Sequence, residues 1–205
     1  MLKTKNGNTI ECLKNNSFNG VLVVGAVHGD EPQGTWLIRE YLKNCDNSLL
    51  AFIPALNPDG LELNQRRNAN EVDINRNFPT ANWVLGENDE YFGGVSPASE
   101  IETKFLIKTI EEIQPKLIIT LHAPYKVVNY DGPAEDYAKE ISKIINYPVE
   151  ASIGYPTPGS FGTWAGIERN IPTITLELDE EIDLTELKEP VFKIFEYLEG
   201  ITFNG

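Results

Sequence analysis

The chain has 205 residues, 41% hydrophobic and 23% charged, a length that suits a single domain over 1–205 with a core of its own. Its formal net charge of −14 argues against nucleic acid or an anionic membrane as the main partner, since like charges repel at range. Cys12 and Cys45 have no CxxC spacing and read as free thiols. The segment Met1–Asn8 has no apolar leader and no stretch approaches a membrane span, so the expectation is a cytoplasmic protein.

In chain order, strands and helices alternate. Val21–Val27 is a continuous apolar run suited to a strand buried on both faces. Gln33–Lys43 carries Trp36, Leu37, Glu40 and Tyr41 at helical spacing, and Leu49–Ala55 reads as a second buried strand ended by a turn at Asn57-Pro58-Asp59-Gly60. Residues 64–88 are long, polar and irregular, as expected of a functional loop. Ser99–Ile113 reads as a helix with Ser99 and Glu102 as a capping box. Strands follow at Lys116–Leu121 and Lys126–Tyr130, a helix at Pro133–Ile145, and a glycine-punctuated loop with a short helix at Gly159–Asn170. A strand at Thr173–Leu178 and an amphipathic helix at Leu187–Leu198 close the chain. This alternation predicts an α/β fold, a three-layer sandwich around a mixed, largely parallel sheet.

In such sheets ligands bind beyond the carboxyl ends of the strands. His28, Asn57, His122 and Glu177 all fall at or just past a predicted strand end. The chain has only two histidines, and Glu31 stands three positions after the first, in His28-Gly29-Asp30-Glu31. Two imidazoles and a carboxylate are a candidate ligand set for catalytic zinc, which keeps its fourth position for water. The competing reading makes Asp30 and Glu31 simple dipole partners for a helix starting near Pro32.

Glu177 is a carboxylate inside the apolar strand Ile174-Thr175-Leu176-Glu177-Leu178. If buried it is a candidate general base, because desolvation raises its pKa toward neutrality; otherwise it marks the exposed face of an edge strand. Arg66, Arg67 and Arg76 form the densest group of cations in an acidic chain. Asn75-Arg76 suits a bidentate clamp on a substrate carboxylate, and Arg66 or Arg67 could stabilise an oxyanion; solvated loop arginines are the bland alternative. Tyr155 to Gly162 is a proline-braced loop able to wall a pocket, with Tyr155 as a phenolic donor or an ordinary packed aromatic.

Together these segments resemble the zinc metallocarboxypeptidases of the carboxypeptidase A type. The resemblance rests on His28-Gly29-Asp30-Glu31, Asn57-Pro58-Asp59-Gly60, Arg66-Arg67-Asn68, Val72-Asp73-Ile74-Asn75-Arg76-Asn77-Phe78-Pro79, Leu121-His122 and Leu176-Glu177-Leu178, in that order along most of the chain. Asn129-Tyr130-Asp131-Gly132-Pro133-Ala134 and Gly154 to Trp164 resemble the bacterial murein peptide amidase A branch. The resemblance implies one Zn2+ held by His28, Glu31 and His122, with Glu177 as general base and proton shuttle. It also implies that Asn75 and Arg76 hold the substrate carboxylate and that Arg66 polarises the scissile carbonyl, with Arg67 as the alternative. Tyr155 falls roughly at the family's mobile tyrosine. Glu71 and Asp179 depart from the family pattern without touching a candidate ligand.

The implied activity is zinc-dependent hydrolysis of the γ-D-glutamyl–diaminopimelate bond of murein tripeptide in cell-wall peptide recycling. The alternatives are a general carboxypeptidase and, third, an aspartoacylase-type deacylase, against which the Asn-Pro-Asp-Gly and Thr-Pro-Gly-Ser-Phe-Gly segments argue. A binding module that kept the fold without catalysis predicts a lost ligand or a lost Glu177, and all four residues are present.

Overall fold

The apolar runs assemble into one six-stranded sheet. The structure, a computed structural model, describes residues 1–45, 47–151, 154 and 156–203. Leu2–Lys3 (β1) and Thr9–Ile10 (β2) form a small antiparallel pair. Val21–Val24 (β3), Ala51–Ile53 (β4), Leu117–His122 (β5), Val127–Asp131 (β6), Val149–Glu150 (β7) and Thr173–Glu177 (β8) make the main sheet. Its order is β4-β3-β5-β8-β6-β7, with every pairing parallel except β6 against β8.

Period-two alternation sorts the side chains into two cores. Val21, Val23, Leu117, Ile119, Leu121, Ile174 and Leu176 point to one face. There they meet Gln33–Asn44 (α1), Glu135–Ile145 (α4) and Leu184–Glu199 (α5) through residues such as Leu37, Ile141 and Phe195. Leu22, Val24 and Ile118 point to the other face, onto Ile101–Ile113 (α3), the long loop and the short helical segment Thr163–Ile167 through Leu106, Phe78 and Trp164. The sheet between two covering layers is the expected α/β sandwich. By the same alternation His122 and Glu177 share the second face with Ile118.

Four local expectations are corrected. The first strand ends at Val24, and residues 25–28 leave the sheet, with Ala26 at a positive φ of 42°. Asn57-Pro58-Asp59-Gly60 is the start of a helix, Pro58–Leu63 (α2), and not a turn: the Asn57 side chain accepts from Gly60 N and proline occupies the first helical position, which needs no donor. The Ser99–Glu102 capping box does not form. Ser99 Oγ donates to Glu100 Oε1 at 2.6 Å, Ser99 N donates to Ser96 O at 3.2 Å, and the Glu102 carboxylate accepts from Asn68 Nδ2 at 3.1 Å instead. The closing helix α5 is longer than expected because Asp183 caps it on Thr185 N at 2.8 Å.

Candidate metal centre

His28 reaches the carboxyl edge of the sheet on a loop leaving β3. That loop is held against the start of α2 by Leu56 N to Gly25 O and Asn57 N to Ala26 O, at 3.0 and 2.8 Å. Gly29 packs so closely on this segment that a Cβ there would lie 2.0 Å from the Gly60 carbonyl carbon, so the turn from His28 to Glu31 requires glycine. His122 and Glu177 end β5 and β8 and are register partners.

These elements bring His28, Glu31 and His122 together. His28 Nδ1 lies 2.8 Å from Glu31 Oε1 and His122 Nδ1 lies 2.9 Å from Glu31 Oε2. One ligand atom from each falls within 4.8 Å of the others, and all three residues are buried. Among the described residues this is the one such cluster of His, Cys, Asp or Glu. The other nitrogen of His28, Nε2, faces Asp73 Oδ1 at 3.2 Å. An imidazole backed by a carboxylate is fixed in ring orientation and leaves its Nδ1 for the metal.

The electrostatics follow from burial and mutual contact. Burial alone would lower the His28 pKa, but Glu31 and Asp73 outweigh it and raise it to about 9. Burial would likewise raise Glu31 and Asp73. The histidines hold Glu31 below the usual carboxylate range, and His28 with Arg66 does the same for Asp73. Glu177 goes the other way. Burial, reinforced by the Glu31 charge, pushes its carboxyl up against the opposing pull of His122 and His28. Its Oε2 is buried with no hydrogen-bond partner. A desolvated acceptor without a partner, beside two imidazoles and a carboxylate, fits a site completed by a metal and a water.

The arginines divide. Arg66 donates from Nε and Nη2 to Asp73 Oδ2 at 3.0 and 2.8 Å, and its Nη1 lies 4.0 Å from Glu31 Oε1 on the cavity wall. Arg67 does not line the cavity. Its Nη1 donates to Glu71 O, Asn88 Oδ1 and Asp89 O, which anchors the 88–93 loop. Arg67, expected beside the substrate, thus points away from the cavity, on the opposite side of the loop from Arg66. Asn75 Oδ1 accepts from Phe161 N at 2.9 Å, which orients the amide, and Asn75 and Arg76 both line the cavity. Tyr91 stacks over both guanidinium groups, 5.2 Å from Arg66 Cζ and 5.7 Å from Arg76 Cζ.

Asn57 caps α2 and does not line the cavity. Tyr155 lies outside the described residues. Sequence reasoning gave no role to Asp73, Tyr91 or Asp131, which the fold places at or against the site. Asp73 carried a signal, as a carboxylate spaced one residue from the Asn75-Arg76 pair inside an otherwise unexplained segment.

Two imidazoles, one carboxylate and a second carboxylate with a buried, partnerless oxygen at the carboxyl edge of a largely parallel sheet define a zinc hydrolase. The chain belongs to the zinc carboxypeptidase family, peptidase M14, whose profile matches residues 1–186. It is 34% identical over 170 residues to murein peptide amidase A of Escherichia coli strain K12, covering 76% of this chain and 69% of that protein. It is 36% identical over 172 residues to murein peptide amidase A of Vibrio campbellii, covering 77% and 68%. Among solved structures, murein-tripeptide amidase MpaA from Escherichia coli O157 superposes with a TM-score of 0.87 at 28% identity, over 98% of this chain and 91% of that one. Carboxypeptidase A from Helicoverpa armigera shares the fold, with a TM-score of 0.74 at 17% identity over 96% and 66%.

Proposed function

We propose that this hydrolase cleaves the amide bond between γ-D-glutamate and diaminopimelate in murein tripeptide, a step of cell-wall peptide recycling. The likeness to murein peptide amidases over three quarters of the chain supports the substrate. The observation that carries the chemistry is the buried Glu177 opposite His122, with one carboxylate oxygen, Oε2, left without a hydrogen-bond partner. The unpaired Cys12 and Cys45 suit a reducing compartment such as the cytoplasm, and no helix among the described residues is long and apolar enough to cross a membrane.

His28, Glu31 and His122 would hold the metal, and zinc bound there would supply Lewis acidity toward the scissile carbonyl and the attacking water. Asp73 fixes the His28 ring and the Arg66 guanidinium at once. Glu177, with its raised pKa, takes a proton from the attacking water and passes it to the departing amine. Arg66 presents Nη1 to the developing oxyanion, since Nε and Nη2 are committed to Asp73. Asn75 and Arg76 hold the carboxylate next to the cleaved amide.

Incubation of the zinc-loaded protein with L-Ala-γ-D-Glu-diaminopimelate tests this. Free diaminopimelate should appear, stop on chelation and return with added zinc. An intact tripeptide beside cleaved ordinary peptides would replace the amidase by a general carboxypeptidase.

A further inference from the structure

Tyr91 is a large ring left 49% exposed at the rim of the cavity, where burial alone does little to hold it. Its backbone is nonetheless tied to the loop that carries the site. Asp73 N donates to Phe92 O at 2.8 Å, and Tyr91 N donates to Asp89 Oδ1 at 2.8 Å. Gly93 lies so close to Arg76 that a Cβ there would stand 2.4 Å from the Arg76 carbonyl oxygen. Residues 91–93 are thus pressed onto Asp73 and Arg76, independently of the bonds from Arg67 to Asn88 and Asp89.

What the ring meets is a pair of cations, with Arg66 Cζ 5.2 Å and Arg76 Cζ 5.7 Å from its centroid. Arg66 is forked onto Asp73 through Nε and Nη2, which leaves Nη1 for the cavity. Arg76 Nη1 donates to the neighbouring Asn75 carbonyl at 2.8 Å, and among the described residues no carboxylate pairs with it. Two like charges converging on one substrate repel each other, and a long arginine side chain has many rotamers to lose. The negative face of an aromatic ring offsets both effects while leaving the charges intact. A carboxylate in its place would consume the N–H donors that a substrate needs.

We infer that Tyr91 is a positioning residue: its ring holds the Arg66 and Arg76 guanidinium groups at the spacing that the scissile carbonyl and the substrate carboxylate require. The inference rests on the proposed reading for the roles of those two arginines, oxyanion donor and carboxylate clamp. Removing the ring then has two separable effects. Through Arg66 it lowers kcat, because the oxyanion develops only in the transition state. Through Arg76 it raises KM, because the carboxylate is held in the ground state and the transition state alike. A ring that merely filled space at the rim would show no dependence on either arginine.

The test measures kcat and KM of the zinc-loaded protein on L-Ala-γ-D-Glu-diaminopimelate and on hippuryl-phenylalanine, with zinc content and Tm recorded for every variant. Tyr91→Leu keeps apolar bulk and deletes the aromatic face. It should lower kcat and raise KM, each on the order of 3–30-fold, the size of a cation–π contact. Tyr91→Phe retains the face and should stay within about twofold of the parent in both. In an Arg66→Ala background Tyr91→Leu should still raise KM but no longer lower kcat, and in an Arg76→Ala background the reverse should hold. Arg67→Ala should leave both constants near the parent, since it frees only the 88–89 end of the segment. Calorimetric binding of free diaminopimelate and phenylalanine reads the Arg76 arm without turnover, and Tyr91→Leu should weaken it where Tyr91→Phe does not. Tyr91→Leu equal to the parent, a loss in Tyr91→Phe as large as in Tyr91→Leu, or the same loss in both arginine backgrounds overturns the assignment. Cleavage of hippuryl-phenylalanine alone would sink the amidase reading, and the same variants on that substrate would still decide the role of Tyr91.

Discussion

His122 and Glu177 stand opposite each other as register partners on parallel strands β5 and β8, each the last residue of its strand. That pairing places a candidate metal ligand and a desolvated base on one rigid edge, facing the same layer. Neither depends on a loop for its position, so catalytic and metal-binding defects should separate cleanly by mutation.

Glu177→Gln keeps the shape of the side chain and deletes the proton acceptor. The variant should bind zinc in full and melt like the parent, with kcat lower by about 10²–10⁴-fold. Turnover close to the parent, measured with zinc content confirmed, would move the base to another residue.

His122→Ala removes a buried ligand. Elemental analysis should find one zinc per chain in the parent and little in the variant. Zinc should also raise the parent's Tm, since a ligand at about 100 times its Kd adds ~2.7 kcal/mol to stability. Full zinc occupancy in His122→Ala would remove that residue from the centre.

His28 gives the site a defined pH dependence. In the metal-free protein burial opposes its protonation, but Glu31 and Asp73 hold the pKa at about 9, so the ring is charged at neutral pH. A metal needs the neutral imidazole. Zinc uptake at pH 7 should therefore release about one proton, and affinity should rise by up to about tenfold per pH unit until the ring deprotonates on its own. The raised pKa also means that this contribution to metal-free stability is present in full below about 6.5 and is lost as the pH climbs through 9. Calorimetry in buffers of different ionisation enthalpy counts the proton. Affinity that falls with rising pH over this range would contradict the ionised cluster.

The two neighbouring arginines should behave differently. Arg66→Ala should lower kcat by about 10²–10³-fold, the usual loss for one oxyanion donor. Arg67→Ala should leave kcat near that of the parent and loosen the 88–93 loop, seen as faster amide exchange there. Equal losses of kcat in both variants would argue against their division between cavity and loop anchor.

Much of this was legible in the sequence because periodicity and strand ends carry it. The apolar runs marked the strands and put His28, His122 and Glu177 at or just past their ends, whereas the common face of His122 and Glu177 came from the β5–β8 register. Asn57-Pro58 was misread as a turn because its proline and capping asparagine serve a helix start equally well. The Ser99 capping box failed because the helix starts only at Ile101, after Glu100, and a distant residue, Asn68, donates to the Glu102 carboxylate. Arg66 and Arg67 could not be told apart from spacing, since the direction of each depends on where Asp73 and the 88–89 segment lie.

The most direct test of the central claim is kcat/KM of the zinc-loaded protein for L-Ala-γ-D-Glu-diaminopimelate against hippuryl-phenylalanine, each with and without chelator. The expected result is chelator-sensitive release of diaminopimelate far faster than release of phenylalanine. Equal values, or faster cleavage of hippuryl-phenylalanine, would contradict the amidase assignment.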